Sequence, residues 1–521
     1  MAQSDLIPTG ISGLDLILRG GIPEGNVILL EGAVGTGKTL LGTEFIYRGA
    51  VDYGESGIIV TFEVSPRKLM RDAVNFGWDL DALQQQNQVR IIFTSPQVLS
   101  QELRAPDSLL LEIAAEMGAR RILIDGISLL RALPNGFNNG NEDHGNGIGR
   151  YRQTLQQLLE GLQRENLTAV LTHEATSIAQ QAFALEITEY LADTVIVLRR
   201  EPNRRGASRS LEITKSRGQP FDAGRHTLRI TAGKGLEVFR RAQAPPLDLD
   251  EERQPTSSQR QSVIGSGPLD ELFGGGVYDG SVTMVVGVSG VGKSILSMQL
   301  LLEGANHQRP GLLVSLDEHP EQVMRNAETL GLNLRAHLDT GMIQFFYDCP
   351  REIELDVHFA RIAQTIEAHN IQRLIIDGMT SYTSALEDEH PYREFFHALV
   401  NYTKQRLMTT FLNYENPELF GVNQFMPDFP VSSIVDNIVL LNFVELGSTL
   451  HRAITVTKTR GSDNRFMTRE FTIGQGGITI LPVDESVALP ILPFQSYYGL
   501  LSRAPTRLSP GLLRSDETST R

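Results

Sequence analysis

The chain has 521 residues, of which 41% are hydrophobic and 21% charged, and its formal net charge is −15. This length predicts about two to four domains, and the acidic balance argues against a protein whose main task is to wrap nucleic acid. No apolar run reaches about 18 residues, so we expect no membrane span. A single cysteine, Cys349, excludes an intrachain disulfide, and we expect a cytoplasmic protein without a signal peptide.

The first informative segment is GAVGTGKT, Gly32 to Thr39, which follows the apolar run VILLEG and precedes a helical pattern. This is the spacing of a phosphate-binding P-loop, in the context that the motif requires. Backbone N–H groups around Gly32, Gly35 and Gly37 should cradle phosphates, Lys38 should reach the β- and γ-phosphates, and Thr39 should hold Mg²⁺. The predicted cofactors are therefore ATP and Mg²⁺.

Two carboxylates follow at the ends of apolar strands. Glu63 ends GIIVTFE and is the candidate base that activates water, although a lone Glu at a strand end is often only solvated. Asp125 ends ILID, where a carboxylate that bonds the Mg²⁺ shell belongs, and the plain alternative is a turn cap. Further on, Lys215 and Arg217 in a K-x-R-G segment are candidate phosphate-binding cations, acting on a neighbouring subunit if the assembly is a ring.

The second half repeats this order. Lys38 and Lys293 are 255 positions apart (293 − 38), as are Asp15 and Asp270, and such fixed spacing indicates duplication. The repeat carries over every predicted role. The second set comprises the P-loop residues Gly287, Gly290, Gly292, Lys293 and Ser294, the Mg²⁺ ligand Asp377, the candidate bases Asp317 and Glu318, and the phosphate-binding cations Lys458 and Arg460.

The apolar runs, rich in β-branched residues, alternate with amphipathic segments, which is typical of parallel strands covered by helices on both faces. We therefore predict an α/β protein with two tandem doubly wound domains. The segment 243–262 is rich in Pro, Ser and charged residues and is predicted to be a linker. The predicted domains are 1–242 and 263–508, followed by a disordered tail, 509–521.

These motifs resemble those of the KaiC family, the clock ATPases with two RecA-like domains in each chain. The resemblance runs from about Ile7 to Leu508 and is clearest in TSIAQQAFALEITEYLADTVIVL, VELGSTLHRAITVTKTRGS and LLSRAPTRL. It implies two tandem RecA-like P-loop domains, homohexamers with ATP between subunits, and an ATPase centred on the N-terminal ring. It also implies autokinase and autophosphatase activity in the C-terminal ring, and a KaiB-like partner.

The resemblance also implies two adjacent phospho-acceptor hydroxyls, three to four positions before the Asp of a late strand. Ser432 and Ser433 occupy those positions before Asp436, whereas Glu189 and Tyr190 stand there in the first half. The chain departs from the family where it has Val64 after Glu63. It departs again in having the shorter Asp317 as the first acid of the second pair.

Two alternatives from other classes stay open. A RecA- or DnaB-like DNA motor shares this core, but the acidic balance and the lack of a Cys-x-x-Cys pattern or obvious basic loops make DNA an unlikely partner. A nucleotide-gated scaffold would bind ATP and form rings without kinase activity. Stimulation of the ATPase by single-stranded DNA and phosphate transfer from labelled ATP separate the three hypotheses.

Overall fold

The structure is a computed structural model. It describes residues 6–102, 108–132, 146–174, 188–203, 206–243, 260–261, 267–385, 389–416, 434–446, 449–461 and 467–482. The chain divides into two compact units, Met1–Gln243 with Glu354–Ala363, and Ala244–Ile353 with Gln364–Arg521. The predicted linker, 243–262, and the predicted tail lie mostly or wholly outside the described residues.

The first unit is built on a nine-stranded sheet with the order β11-β10-β9-β8-β3-β7-β6-β4-β5. Strands β8, β3, β7, β6, β4 and β5 run parallel, and β9 to β11 extend the sheet antiparallel. The strands are β1 Leu6–Ile7, β2 Ile22–Pro23, β3 Val27–Gly32, β4 Gly57–Thr61, β5 Val89–Phe93, β6 Arg121–Asp125, β7 Thr168–Glu174, β8 Thr194–Asn203, β9 Gly206–Ser216, β10 Arg225–Thr231 and β11 Gly235–Phe239.

Helices cover both faces of this sheet. They are α1 Leu14–Ile17, α2 Lys38–Tyr53, α3 Pro66–Val74, α4 Leu80–Gln85, α5 Pro96–Glu102, α6 Leu109–Met117 and α7 Asn146–Arg164, with a 3-10 turn at Ile127–Ala132. Strand β3 is buried along its whole length, with Leu30 in a core that includes Phe45 of α2. Leu29 faces the other core, which includes Leu155 of α7. Burial on both faces explains why β3 is an unbroken apolar run up to Leu30.

The second unit repeats this sheet with the order β16-β15-β17-β18-β14-β19-β20-β21-β22. Its strands are β12 Arg260–Gln261, β13 Val277–Tyr278, β14 Val282–Gly287, β15 Gly311–Ser315, β16 Ile343–Tyr347, β17 Arg373–Asp377, β18 Thr409–Glu415, β19 Asn437–Leu446, β20 Thr449–Thr459, β21 Thr468–Gly474 and β22 Gly477–Ile480. The helices in this half of the chain are α8 Gly267–Leu272, α9 Lys293–Asn306, α10 Pro320–Thr329, α11 Leu334–Asp339, α12 Leu355–His369, α13 Met379–Ala385 and α14 Glu389–Gln405, with a 3-10 turn at Pro350–Glu352. The first part of α12, up to Ala363, belongs to the first unit.

The two sheets have the same strand order, so the repeated motifs occupy equivalent places in both. In each unit the strand before the P-loop is central, with parallel neighbours on both sides, and the carboxyl ends of these strands meet at one edge. The predicted fold, two tandem RecA-like domains with largely parallel sheets, is confirmed. In the part of the chain that the structure describes, no helix is long and apolar enough to cross a membrane.

Candidate nucleotide sites

The first P-loop connects β3 to α2 at the carboxyl edge of the sheet. Gly35 and Gly37 have φ angles of 77° and 110°, in the region that favours glycine, so the loop can turn its backbone N–H groups inward. A Cβ on Gly32 would lie 2.6 Å from the carbonyl oxygen of Leu198, which explains a glycine where β3 packs closely against β8. The N-terminus of α2 then provides a natural place for phosphate.

The Lys38 ammonium folds back over this loop. It donates hydrogen bonds to the carbonyl oxygens of Gly32 and Ala33, at 2.7 and 2.9 Å. Burial lowers the pKa of Lys38, and the negative charges of Glu174, Asp125 and Glu63, in decreasing order, raise it. The lysine is thus held over the loop by two carbonyl groups, and three carboxylates add negative charge in its surroundings.

Thr39 and Asp125 come together as the sequence predicts. The Thr39 hydroxyl donates to the Asp125 carboxylate, 3.0 Å from each oxygen, and the Thr172 hydroxyl donates to Oδ1 at 2.7 Å. Thr172 in turn accepts a hydrogen bond from the Gly126 N–H at 2.7 Å. A hydroxyl and a carboxylate held side by side are the hard oxygen ligands that Mg²⁺ uses beside nucleotide phosphates, so these residues fit the ion.

Glu63 stands at the exposed tip of a short turn after β4. The Thr61 hydroxyl donates to the Val64 carbonyl oxygen at 3.2 Å, and the Val64 N–H donates to the Thr61 hydroxyl at 3.3 Å. Val64 packs against the core that contains α2. The turn therefore packs Val64 partly into the core and leaves the Glu63 side chain exposed.

The second P-loop has the same geometry. Gly290 and Gly292 have φ angles of 75° and 121°, and a Cβ on Gly287 would lie 2.6 Å from the Leu441 carbonyl oxygen. The Lys293 ammonium donates to the carbonyl oxygens of Gly287 and Val288, both at 2.9 Å. The same loop geometry is therefore present in both units. Ser294 follows Lys293 at the start of α9.

Asp377 is held differently from Asp125. It is 9% exposed, and its Oδ1 accepts a hydrogen bond from the Asn413 amide at 2.9 Å. The Ser297 hydroxyl donates to the other end of that amide at 2.7 Å. An amide therefore replaces the hydroxyl of Thr172 at this place in the repeat. Ser294 starts the helix at the position of Thr39, so a hydroxyl is again available for an ion that Asp377 would bind.

Asp317 and Glu318 lie on the turn that matches Thr61 to Val64. The Ser315 hydroxyl donates to the Glu318 carbonyl oxygen at 2.7 Å, and the Glu318 N–H donates to that hydroxyl at 3.2 Å. Partial burial raises the pKa of the Asp317 carboxyl, against a hydrogen bond from Ser381 that lowers it. Burial and the charge of Asp377 raise the pKa of Glu318, which accepts a hydrogen bond from Asn326 at 3.1 Å. Both groups can take up protons more readily than an ordinary carboxylate.

The four K-x-R-G cations lie away from the P-loop of their own unit. Lys215 donates to the carbonyl oxygens of residues 189, 190 and 192, at 2.6 to 3.3 Å, and Arg217 lies 3.7 Å from Asp193. This corner is at the amino end of β3, where Asp193 accepts the Val27 N–H at 3.0 Å. From Val27 to Gly32 the strand rises about 16 Å, at about 3.3 Å per residue over five steps. Lys215 and Arg217 therefore lie at the opposite edge of the sheet from their own P-loop.

The second unit shows the same placement. Lys458 donates to the Val435 carbonyl oxygen at 2.7 Å, and Arg460 lies 3.5 Å from Asp436. Asp436 accepts the N–H of Val282, the first residue of β14, at 2.9 Å. Lys458 and Arg460 therefore lie at the edge of the sheet opposite to the P-loop of their own unit. The predicted acceptors, Ser432 and Ser433, lie outside the described residues.

Sequence reasoning missed Glu174 and Glu415. They end β7 and β18, and each pairs in register with the first glycine of its P-loop, Gly32 or Gly287. The available signal was that the strands VLTHE and FLNYE both end in Glu at the same place of the repeat. Their meaning depends on which strand lies beside the P-loop strand, and local pattern does not reveal this.

Glu31, directly before the first P-loop, was missed as well. It is 4% exposed, and burial and the charge of Glu189 raise the pKa of its carboxyl to about 7, while Arg199 lowers it. Its register partner on β7 is the buried His173. Val286 and Tyr414 stand at the equivalent positions of the second unit, so this acidic group is particular to the first site.

The described residues contain no group of three or more His, Cys, Asp or Glu side chains that could hold a metal ion by themselves. Such a group is not expected for Mg²⁺ at a P-loop, because protein ligands are few and phosphate oxygens supply the others. The arrangement in both units combines a glycine-rich loop, a lysine and several carboxylates at one edge of the sheet, which fits a phosphate group and its ion.

Comparison with known proteins agrees with this arrangement. A family model described as "ATPase: KaiC" matches residues 7–243 and again 264–485. The circadian clock oscillator protein KaiC of Parathermosynechococcus lividus is 30% identical over 96% of this chain and 88% of its own length. The KaiC of a Picosynechococcus strain and KaiC 1 of a Synechocystis strain are each 28% identical over 96% of this chain, and over 93% and 92% of their own lengths. The chain belongs to the KaiC family of ATPases, with the ATPase domain present twice.

Proposed function

We propose that the chain is a ring-forming ATPase in which the first domain hydrolyses ATP and the second transfers phosphate to its own serines. The observation that carries the proposal is that the candidate functional groups lie at two opposite edges of each sheet. The phosphate cradle, the ion-binding carboxylate and the candidate base lie at the carboxyl edge. The K-x-R-G cations lie at the amino edge of the same sheet.

In the first domain, Glu63 takes a proton from a water molecule as its oxygen attacks the γ-phosphorus. The bond from that phosphorus to the bridging oxygen breaks, and ADP leaves with the electron pair. Lys38 donates hydrogen bonds to the phosphate oxygens. Mg²⁺, held by Thr39 and Asp125, offsets the negative charge of the phosphates when it is bound.

In the second domain, the attacking group is a serine hydroxyl, Ser432 or Ser433, instead of water. Glu318, with Asp317 beside it, accepts the hydroxyl proton, and ADP is again the leaving group. The raised pKa values of both carboxyls favour this role, because a base is most effective when its pKa is near the working pH. Asp377 and Ser294 would hold Mg²⁺, and Lys293 would contact the phosphates.

The proposal includes a homohexamer, as the family resemblance implies, and the placement of the cations supports contacts between subunits. Lys215, Arg217, Lys458 and Arg460 are about a strand's length from their own P-loops, so the far side of each γ-phosphate needs a cation from a neighbour. In the sequence the proposed acceptor serines stand three to four positions before Asp436, and Asp436 lies at the same edge as Lys458 and Arg460. In a ring they would face the neighbour's nucleotide. A KaiB-like partner and a cytoplasmic location are further parts of the proposal, and they rest on the family and on the single cysteine.

The deciding experiment incubates the purified chain with Mg²⁺ and γ-labelled ATP, and follows released phosphate and label on the protein. The proposal expects both. Hydrolysis without labelled protein would favour a nucleotide-gated scaffold. Hydrolysis that rises severalfold with single-stranded DNA would favour a DNA-dependent ATPase, and no nucleotide turnover at all would reject the function.

A further inference from the structure

Two glutamates lie beside the P-loops and have no part in the proposed chemistry. Glu174 is in register with Gly32, and Glu415 with Gly287, on the parallel strand next to the P-loop strand. Neighbouring strands are about 4.8 Å apart, so each carboxylate starts beside the first glycine of the loop. The recurrence of Glu in both units, beside different preceding residues, His173 and Tyr414, makes this a feature of the site itself.

Each glutamate acts electrostatically on the P-loop lysine of its unit. The Glu415 carboxylate lies 4.0 Å from the Lys293 ammonium, whose side chain is only 10% exposed. Among the charged groups that raise the pKa of Lys293, Glu415 has the largest effect, followed by Asp377 and Asp317. Glu174 has the largest such effect on Lys38. In each unit, therefore, the glutamate at this place in the repeat is the charged group that raises the pKa of the lysine most.

The glutamate and an arriving phosphate group compete for the ammonium of the lysine. Two hydrogen atoms of each ammonium are already donated to loop carbonyls, and a carboxylate attracts the remaining positive charge. An ionised carboxylate only accepts hydrogen bonds, so it gains nothing from an arriving phosphate and repels it. Nucleotide binding must therefore draw the lysine away from the glutamate and bring like charges together. ATP carries one more negative charge than ADP, so the glutamate repels ATP more strongly than it repels ADP.

We propose that Glu174 and Glu415 are the resting counter-ions of Lys38 and Lys293, and that they lower the affinity of each P-loop for nucleotide, for ATP more than for ADP. This inference rests on the P-loops being nucleotide sites. It assigns to these two glutamates the tuning of affinity, with no direct part in proton transfer. Both domains would then release nucleotide more readily than their P-loops alone allow.

The test measures equilibrium binding of a non-hydrolysable ATP analogue and of ADP to the full chain at one protein concentration. Lys293→Ala silences the second site, so that Glu174→Gln reports on the first. We expect Glu174→Gln to raise the affinity for the ATP analogue about three- to tenfold and the affinity for ADP about twofold. Both increases in affinity should be smaller at high salt, because salt screens the repulsion. Glu174→Asp keeps the charge and should stay within about twofold of its parent, and Glu112→Gln is a matched control on the exposed face of α6.

The reciprocal pair, Glu415→Gln with Lys38→Ala, repeats the test at the second site and decides the matter if Glu174→Gln does not fold. Unchanged affinity in the Gln variant would overturn the inference. Weaker binding that appears only with Mg²⁺ would overturn it too, because the carboxylate would then belong to the ion's shell. Failure of the parent chain to bind either nucleotide would instead reject the P-loops as nucleotide sites.

Discussion

The Thr39 hydroxyl lies 3.0 Å from both carboxylate oxygens of Asp125. The two residues come from the start of α2 and the end of β6, and Thr172 holds the carboxylate from a third element. Because the pair fits Mg²⁺, Asp125→Asn in a Lys293→Ala chain should lower the Mg²⁺-dependent ATPase about 100-fold or more. Thr172→Val keeps the carboxylate but removes the hydrogen bond to it and the one from the Gly126 N–H, and should lower the rate about tenfold or less.

These rates are measured as phosphate release over a Mg²⁺ titration. A shift of the Mg²⁺ requirement to higher concentration in Asp125→Asn, with folding unchanged by circular dichroism, is the expected signature. An unchanged Mg²⁺ requirement would show that Asp125 acts only as a turn cap.

Glu63 lies at the tip of a turn in which the partly buried Val64 occupies the position of the second acid of the other unit, Glu318. Glu63→Gln should therefore keep ATP binding and lower turnover of the whole chain about 100- to 10,000-fold, since hydrolysis is expected mainly at the first site. Asp317→Asn, the matched change in the second unit, should lower phosphate release far less. Equal turnover in Glu63→Gln and the parent would rule out Glu63 as the base.

Arg217 is half exposed and lies at the amino edge, away from its own P-loop. In a ring, chains with Arg217→Ala still carry an intact first P-loop, and chains with Lys38→Ala still carry the cation. A mixture of the two should then recover ATPase activity above the sum of the separate preparations, up to about a quarter of the parent rate if equal amounts mix randomly.

Mass measurement of the same samples with and without Mg-ATP should show a nucleotide-dependent hexamer in the parent and a weakened one in Lys38→Ala. Lys234→Ala, an exposed lysine in the same unit, is the control for loss of a positive charge. A monomer in saturating Mg-ATP would contradict the proposed ring. A mixture that is no more active than the sum of the separate preparations would contradict it as well.

The second P-loop should feed Ser432 and Ser433. Phosphopeptide mass spectrometry after incubation with Mg-ATP is expected to find phosphate on one or both. Lys293→Ala should abolish it, because the ammonium no longer offsets charge on the transferred group. No phosphate is expected at the matching place in the first unit, where Glu189 and Tyr190 stand. Phosphate that persists in Lys293→Ala, or that occurs only elsewhere, would contradict the autokinase assignment.

Glu31 predicts a pH dependence of stability in the first unit. Its pKa is raised from 4.5 to about 7 in the folded chain, so the folded state holds a proton that the unfolded state releases between those values. Stability is therefore greatest at low pH on this account. It falls as pH rises from about 4.5 to about 7, and is then constant, a total of about 3 kcal/mol at most.

Glu31→Gln cannot ionise, so its stability relative to the parent should improve steadily across that window and level off above about pH 7. Calorimetry of the full chain at several pH values measures this, in the unfolding transition that the substitution moves. Glu112→Gln, an exposed glutamate on α6, should show no such trend. A difference between Glu31→Gln and parent that does not vary with pH would mean that His173, Glu189 and Arg199 keep Glu31 in one ionisation state throughout.

The P-loops, the duplication and the fold class could be predicted from the sequence because each depends on local chemistry. Glycine spacing determines where the backbone can turn its N–H groups inward, as at Gly35 and Gly37. Unbroken apolar strands require cover on both faces, and a fixed separation of motifs requires a repeated fold. The strand-end positions of Asp125 and Glu63 followed from the same patterns.

Strand order across the sheet was decided by tertiary structure alone. It places β7 beside β3 and so brings Glu174 to the P-loop, although 142 positions separate Glu174 from Gly32 (174 − 32). It puts Lys215 and Arg217 at the edge opposite to Lys38, since β9 runs antiparallel to β8. It also buries Glu31 next to His173, where exclusion of water changes its proton affinity. A sequence pattern specifies which strands form, whereas long-range packing decides which of their ends meet.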